Sequence, residues 1–338
     1  MRVIRNTTWD AQLGARMQRQ LLIAFGGGIA SALLLVGSLT GAGGLLLANF
    51  APLPLFLVGF MSGARSVVMA GAAASVALLF LGGIETATFY AGTTMIPAWI
   101  IVYHGLSHRF TANGATDWYS TGEIVSRLCA LIAIFIVVVS LAVSGAQGGI
   151  ENSINSFVEA IITQIVKMMA LDLNSEGVDL LVDRMTMLFP AVTTLSWLLM
   201  IVVNATVAQA LLVKWNKALR PSPRYRSIEA PEWAYWAIVG AAAIKLIGSD
   251  DIEYVAQNLV VILGVPFFLV GLAVAHSLAH RLKMPGLGLG LLYASFLILT
   301  WAPVAVAAVG FAEQWVRLRD RYGRIASTLT PHSQSEDE

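Results

Sequence analysis

The stretch FAPLPLFLVGFMSGAR, at residues 50–65, is an apolar run that contains two prolines, Pro52 and Pro54, and ends at Arg65. Proline removes a backbone N–H and clashes with the preceding turn, which costs about 3 kcal/mol inside a helix. Within a membrane, neighbouring helices can satisfy the carbonyl groups that lose their donor. The stretch therefore predicts a broken or kinked membrane helix that lines an internal space, where transporters place their ligands.

The composition of the whole chain is that of a membrane protein. Of its 338 residues, 57% are hydrophobic and 12% are charged, against about 25% charged residues in soluble domains. Several apolar runs exceed the roughly 18 residues that indicate a transmembrane helix. The runs are continuous and do not alternate with a period of two, which excludes a barrel. The sequence thus predicts an all-α fold, a polytopic transmembrane helical bundle.

Eight spans follow from the apolar runs and their polar flanks, and a ninth apolar block covers residues 286–316. The spans are predicted at residues 20–37, 43–60, 65–83, 88–106, 122–146, 186–213, 232–248 and 255–276. Thr300 and Pro303 divide the ninth block into two arms of about 13 residues, shorter than the roughly 20 residues of a full span. We expect a C-terminal membrane hairpin that returns the chain to the cytoplasm. One kinked helix with an external tail is the alternative.

The distribution of charge predicts the orientation, because cytoplasmic loops are enriched in Lys and Arg. With the N-terminus inside, the inner side carries the basic loop KWNKALRPSPRYR at residues 214–226, and the outer side carries mostly acidic residues. We therefore predict a multi-pass protein of the bacterial inner membrane with a cytoplasmic N-terminus. The basic segment WVRLRDR at residues 315–321 favours a cytoplasmic C-terminus as well.

The predicted spans divide the chain into five segments. They are a cytoplasmic N-terminal segment at 1–19, the first five transmembrane helices at 20–146, an external insertion at 147–185, the C-terminal transmembrane helices at 186–316, and a basic then acidic cytoplasmic tail at 317–338. Within the insertion, Ile150, Ile154, Phe157, Ile161 and Ile165 recur at helical spacing, which predicts an amphipathic helix at the membrane interface.

Polar residues inside membrane spans are expensive, so each is a candidate for function. Asn204 either bonds another helix or contacts a ligand. Lys245, near the outer end of the seventh span, either extends towards Asp250 and Asp251 or serves as a counter-ion for a ligand. The candidate ligand-binding residues are Pro52, Pro54, Tyr90, Trp197, Asn204 and Lys245.

Small residues form a face of the first helix at Ala24, Gly28 and Ser31, where a second helix could approach closely. That face could pack within the same bundle or dock a partner subunit.

Catalytic and metal-binding motifs find no support in the sequence. His276 and His280 share a helix face, but no third ligand is near them in the sequence, so an interfacial role is favoured over a metal site. The GLGLG run at residues 286–290 has no lysine and no preceding strand, which argues against nucleotide binding. We expect no enzymatic activity, no metal, no cofactor and no nucleic-acid partner.

Several pieces of the chain together resemble the YybS-like family of bacterial membrane proteins, domain of unknown function 2232. The pieces are APLPLFLVGFMSGAR, LFP at 188–190 followed by Asn204, PEW at 231–233, the run from 258 to 285, and VGFAEQWVRLRDR at 309–321. The family is similar in turn to the substrate-binding S components of energy-coupling-factor vitamin transporters, chiefly in the first four helices. The chain has more helices than S components usually have.

The resemblance to S components implies that the chain binds a small molecule from the outer side of the membrane. A separate transmembrane coupling subunit and ATPases would supply the transport step, and the small-residue face of the first helix would be their docking surface. The alternative function is a non-transporting membrane scaffold or assembly factor that acts through the basic loop and the tail. That loop could instead face anionic lipid.

Overall fold

The computed structural model describes residues 7–40, 42–110, 114, 116–144, 149–169, 174–222, 228–280 and 282–317. The fold is all-α, as predicted. The helices are α1 (Thr7–Val36), α2 (Ala42–Ala48), α3 (Pro52–Ser62), α4 (Ala64–Tyr90), α5 (Ile96–Leu106), α6 (Thr121–Val143), α7 (Gly149–Met168), α8 (Ser175–Lys214), α9 (Glu232–Ile247), α10 (Asp250–Ala279), α11 (Pro285–Ile298) and α12 (Ala302–Val316). A 3₁₀ turn covers Gly37–Thr40, and a π-helical turn covers Ala91–Met95.

Among the described residues, five helices are long and apolar enough to cross a membrane. They are Met17–Val36, Ala64–Leu106, Thr121–Val143, Glu176–Lys214 and Asp250–Ala279. These helices agree with the prediction of a multi-pass membrane protein. They do not decide the predicted count of eight spans. The seventh predicted span corresponds to α9, whose 16 residues are fewer than the roughly 20 that cross a bilayer unaided.

The chain forms two compact units, which are described separately. Unit 1 comprises Met1–Tyr119 and Ser196–Pro223, and unit 2 comprises Ser120–Leu195 and Arg224–Glu338. Helix α8 contributes its first half to unit 2 and its second half to unit 1.

The second predicted span is broken in the structure. Helix α2 ends at Ala48 and α3 begins at Pro52, so Pro52 and Pro54 lie in the first turn of a new helix. In that position the missing N–H of proline removes no intrahelical hydrogen bond. The prediction of a broken helix at these prolines is confirmed.

A chain reversal at Gly83 divides the long apolar run Ala64–Leu106 into two arms. Gly83 has φ +79° and ψ −179°, a backbone conformation that is essentially restricted to glycine. Gly71 lies against Met95, and these two residues are equally far from Gly83 along the chain. The arms are therefore antiparallel, and the predicted spans at 65–83 and 88–106 correspond to them.

A short antiparallel β-hairpin follows α5. Strand β1 (His108–Phe110) pairs with β2 (Thr116–Trp118), with His108 opposite Trp118 and Phe110 opposite Thr116.

In unit 2, helix α7 lies where the amphipathic insertion was predicted. Its first backbone N–H groups donate to the carboxylate of Asp251, from Ile150 at 3.2 Å and from Glu151 at 3.1 Å. The carboxylate therefore stabilises the positive end of the α7 dipole. Ile150 and Val158 are the buried apolar residues of this helix, and its side chains are otherwise mostly exposed.

Helix α12 runs antiparallel to α10 in the core of unit 2. Gly271 of α10 lies against Val306, and Gly310 of α12 lies against Phe267, so residue numbers rise along one helix as they fall along the other. The rings of Phe267 and Phe311 meet beside this contact, with centroids 5.4 Å apart.

Helix α11 also runs opposite to α10. The Tyr293 hydroxyl lies 3.2 Å from His276 Nε2, and Phe296 lies against Phe268 with ring centroids 5.7 Å apart. The two arms of a hairpin would have opposite directions, whereas α11 and α12 both oppose α10. The predicted C-terminal hairpin is therefore not what these contacts form. Both helices lie against the same part of α10, with Phe296 at Phe268 and Gly310 at Phe267, and the alternative of one kinked helix stays a prediction.

Candidate functional site

The break between α2 and α3 is held by polar side chains from other helices of unit 1. Asn204 Nδ2, on α8, donates to the carbonyl oxygen of Asn49 at 2.8 Å and to that of Met200 at 2.8 Å. Ser31 Oγ, on α1, donates to the carbonyl oxygen of Ala51 at 2.5 Å. Asn204 thus satisfies the carbonyl of Asn49, whose usual donor Leu53 bonds Phe50 instead, and Ser31 adds a second donor to the carbonyl of Ala51, the N-cap residue of α3.

Tyr90 extends this set of hydrogen bonds. Its hydroxyl lies 2.6 Å from Ser31 Oγ. Because the single hydroxyl proton of Ser31 is directed at Ala51, Tyr90 is the donor in this contact. Both side chains are fully buried. The chain of donors from Tyr90 through Ser31 to Ala51 ties the end of α4 to the break.

Trp197 supports the second irregular segment of unit 1, the π-helical turn at Ala91–Met95. Its indole Nε1 donates to the carbonyl oxygen of Thr93 at 2.9 Å. In a regular helix this carbonyl would accept from residue 97, but Pro97 has no N–H to give. Trp197 therefore replaces the donor that proline removes.

One polar atom at the break remains without a partner. Asn204 is 2% exposed, and its Oδ1 atom has no hydrogen-bond partner among the described residues. Leaving a buried acceptor unpaired costs about 1–3 kcal/mol, so such groups call for an explanation such as a bound molecule or water. Oδ1 can accept a hydrogen bond from an N–H or O–H group placed beside the break.

Most of the predicted ligand-binding residues meet at these two irregular segments. Pro52 is buried and Pro54 half-buried at the start of α3, and Tyr90, Trp197 and Asn204 bond the surrounding backbone and side chains as described.

Lys245 is not part of this group of residues. It lies half-buried in the last turn of α9, which belongs to unit 2.

The small-residue face of α1 packs against α4 within unit 1. Ala24, Gly28 and Ser31 are all buried, and a Cβ atom at Gly28 would collide with the carbonyl oxygen of Ala70. The backbones of the two helices are thus in near contact. These contacts show the first of the two roles considered for this face, which is packing within the same bundle. Ser31 also bonds the helix break.

A family model described as "Predicted membrane protein (DUF2232)" matches residues 28–313 of the chain. The chain belongs to this family. The resemblance to the YybS-like family is thereby confirmed, and the match runs from α1 to α12 and includes the whole candidate site. No curated protein and no solved structure matches the chain. The similarity to S components stays a prediction.

A second proline in this DUF2232 protein is supported in the same way, in unit 2. Pro190 lies inside α8 and leaves the carbonyl of Thr186 without its usual donor. The Tyr254 hydroxyl donates to that carbonyl at 2.9 Å. Asn258 then bridges the next turn, because its Oδ1 accepts from the N–H of Ala191 at 3.0 Å and its Nδ2 donates to the carbonyl of residue 187 at 3.2 Å.

These contacts make Tyr254 and Asn258 structural residues, and the sequence analysis missed them. The signal was present, since a proline interrupts one apolar run and an Asn lies within another. The sequence does not show that these two helices, about 67 residues apart along the chain, pack against each other.

The described part of this DUF2232 protein offers no cluster of side chains for a metal site. Among the described residues, no group of three or more His, Cys, Asp or Glu side chains is placed to hold a metal ion. His276 Nδ1 lies 2.8 Å from the carbonyl oxygen of Leu272, and its Nε2 faces Tyr293. Both ring nitrogens of His276 therefore have protein partners.

Proposed function

We propose that this DUF2232 protein binds a small molecule at the break between α2 and α3 in unit 1. The observation that carries the proposal is the buried Oδ1 atom of Asn204, which has no partner among the described residues and lies on the side chain that bonds the break. Broken helices at membrane depth expose backbone polar groups, and transporters use such breaks to contact their substrates.

Asn204 and the Tyr90–Ser31 pair have distinct roles in this proposal. Asn204 Oδ1 accepts a hydrogen bond from the bound molecule, while its Nδ2 holds the carbonyl of Asn49. Tyr90 and Ser31 fix the carbonyl of Ala51 and so position the break. Trp197 holds the neighbouring π-helical turn in place.

Uptake is the process that the resemblance to S components suggests for such a site. Unit 1 contains the first four predicted helices, in which that resemblance is concentrated. The chain would then be the binding component, and a transmembrane coupling subunit with ATPases would supply the energy. A scaffold role is the alternative. It would act through the basic loop and the tail, of which residues 223–227 and 318–338 lie outside the described part of the chain.

Mass spectrometry of small molecules extracted from the purified protein tests the binding proposal. We expect a compound in the wild-type protein that is lost from Asn204→Leu, because leucine keeps the size of the side chain and removes the acceptor. Thr186→Val is the matched control, since it also removes a buried oxygen without a partner among the described residues, but in unit 2.

The proposal fails if the wild-type protein, purified in mild detergent, carries no compound above the detergent blank. It also fails if Asn204→Leu retains the compound at the wild-type amount while the variant unfolds at the same temperature as the wild-type protein. Subunits that co-purify with the loaded protein would support the transport role.

A further inference from the structure

Three separate segments of unit 1 are joined at one end by Arg220 and its neighbour Leu219. The Arg220 guanidinium donates to the carbonyl oxygen of Gly105 at 2.7 Å and to that of Tyr119 at 3.0 Å. The N–H of Leu219 donates to the carbonyl oxygen of Phe60 at 3.0 Å. The turn after α3, the β-hairpin after α5 and the segment after α8 therefore lie together, and we call this region the cationic end.

The cationic end has a strong excess of positive charge. Arg65, Arg109, Lys214 and Lys217 are exposed on its three segments, and Arg220 is buried between them. Across residues 60–66, 105–119 and 211–222 of the sequence, Asp117 is the one acidic residue. Cations on neighbouring segments attract an anionic surface, at about 1 kcal/mol for each Lys or Arg near an acidic bilayer.

Exposed apolar side chains alternate with these cations. Phe110 is 73% exposed, Trp215 is 51% exposed and Leu219 is 52% exposed. On the hairpin, the His108 ring lies between those of Phe110 and Trp118, with centroids 5.1 and 5.0 Å away. Aromatic rings mixed with Lys and Arg are typical of side chains at the level of lipid headgroups.

Arg109 contacts Tyr119 at this surface. Its guanidinium lies over the ring of Tyr119, 4.9 Å from the centroid, and donates to the Tyr119 hydroxyl at 3.1 Å. A guanidinium has five N–H donors in a planar fork that matches a phosphate group. The two contacts with Tyr119 restrict Arg109 and so reduce the entropy that it would lose when it binds such a group.

We propose that the cationic end binds the headgroup phosphates of anionic phospholipids. Arg109 and the two lysines contact the phosphate groups, while Phe110, Trp215 and Leu219 enter the boundary between headgroups and acyl chains. A free phosphate ion would need the charges alone, whereas a lipid accounts for both the charges and the exposed apolar side chains. This site is separate from the helix break and does not depend on the function proposed for it.

Titration of the purified wild-type protein with phosphatidylglycerol and with phosphatidylcholine, followed by native mass spectrometry, tests this proposal. We expect phosphatidylglycerol to bind at least tenfold more tightly. The double variant Arg109→Gln with Lys217→Gln should weaken binding of phosphatidylglycerol by about 25-fold, since each charge contributes about fivefold in affinity. The double variant Lys167→Gln with Lys245→Gln removes two charges from unit 2 and should bind within about twofold of the wild-type protein.

Equal binding of the two lipids by the wild-type protein would overturn the proposal, and this comparison needs no variant. Unchanged binding of phosphatidylglycerol by Arg109→Gln with Lys217→Gln would also overturn it. Displacement of the lipid by millimolar inorganic phosphate would show a site for a free anion instead. Phe110→Ser, at an exposed position, should weaken binding of phosphatidylglycerol, and inorganic phosphate should still fail to displace the lipid from this variant.

Discussion

At the scale of a residue, Ser31 shows how one hydroxyl group holds a helix break. It accepts from Tyr90 and donates to the carbonyl of Ala51, so it links the end of α4 to the start of α3 and gives the buried Tyr90 hydroxyl its partner. Tyr90 and Asn204 were identified from the sequence because polar residues are rare inside apolar spans. The role of Ser31 was not, since its partners are 20 and 59 residues away along the chain.

A double-mutant cycle on Ser31 and Tyr90 checks this arrangement. Ser31→Ala should lower the free energy of unfolding by about 1–3 kcal/mol, because the buried hydroxyl of Tyr90 loses its partner. Tyr90→Phe alone should cost about 1 kcal/mol. The double variant should be more stable than the sum predicts by about 1 kcal/mol, because Tyr90→Phe removes a hydroxyl that Ser31→Ala has already left unpaired.

Unfolding of the purified protein in mixed micelles of rising SDS fraction measures these differences. Ser140→Ala is the control, since Ser140 donates only to Ile136 in its own helix and should change stability by less than about 0.5 kcal/mol. Strict additivity of Ser31→Ala and Tyr90→Phe would contradict the proposed chain of donors.

At the scale of an element, two prolines of this protein, Pro97 and Pro190, each have a lost hydrogen bond replaced by a side chain from another helix. Trp197 does so for Pro97, and Tyr254 with Asn258 does so for Pro190. The break at Pro52 could be predicted from the sequence, since proline acts locally on its own helix. The side chains that compensate lie on other helices, so they depend on packing that the pattern of apolar residues does not encode.

Asn258 and Pro190 should therefore be coupled. Asn258→Leu leaves the N–H of Ala191 and the carbonyl of residue 187 without this bridge, and should cost about 2–4 kcal/mol. Adding Pro190→Ala should recover part of this loss, because a regular helix can then bond both groups internally. Thermal unfolding in detergent measures the three variants.

Gln257→Leu serves as the control for Asn258→Leu, since Gln257 is the half-buried neighbour on the same helix. If the variant with both changes is no more stable than Asn258→Leu alone, the bridge across Pro190 does not have the role that its geometry indicates.

At the scale of the whole molecule, composition was enough to predict an all-α membrane protein, and the order of sequence pieces was enough to predict its family. The directions in which the C-terminal helices run along α10 were harder to predict. Residues 286–316 were expected to fold back as a hairpin because Arg317 and its neighbours favour the inside. The contacts of Gly271 and Gly310 set the direction of α12. They depend on the close packing of two helix backbones, which the distribution of charge does not indicate.

Labelling of single cysteines tests the predicted orientation. Cys129 is the one cysteine of the chain and is fully buried, so it gives little background. We expect a membrane-impermeant maleimide to label Asn152→Cys on α7 in intact cells, and Lys217→Cys only after the cells are opened. Both positions are exposed. The reverse pattern would place the N-terminus outside.

The reversal at Gly83 also restricts how the length of the chain can change. One added residue between Gly71 and Gly83 would turn the first arm by about 100° relative to the second and shift it by about 1.5 Å. Gly71 would then no longer face Met95, and a side chain larger than hydrogen would meet it. Insertions and deletions in these two arms are thus tolerated only in matched pairs, so relatives should differ here by substitution and keep the spacing of Gly71, Gly83 and Met95.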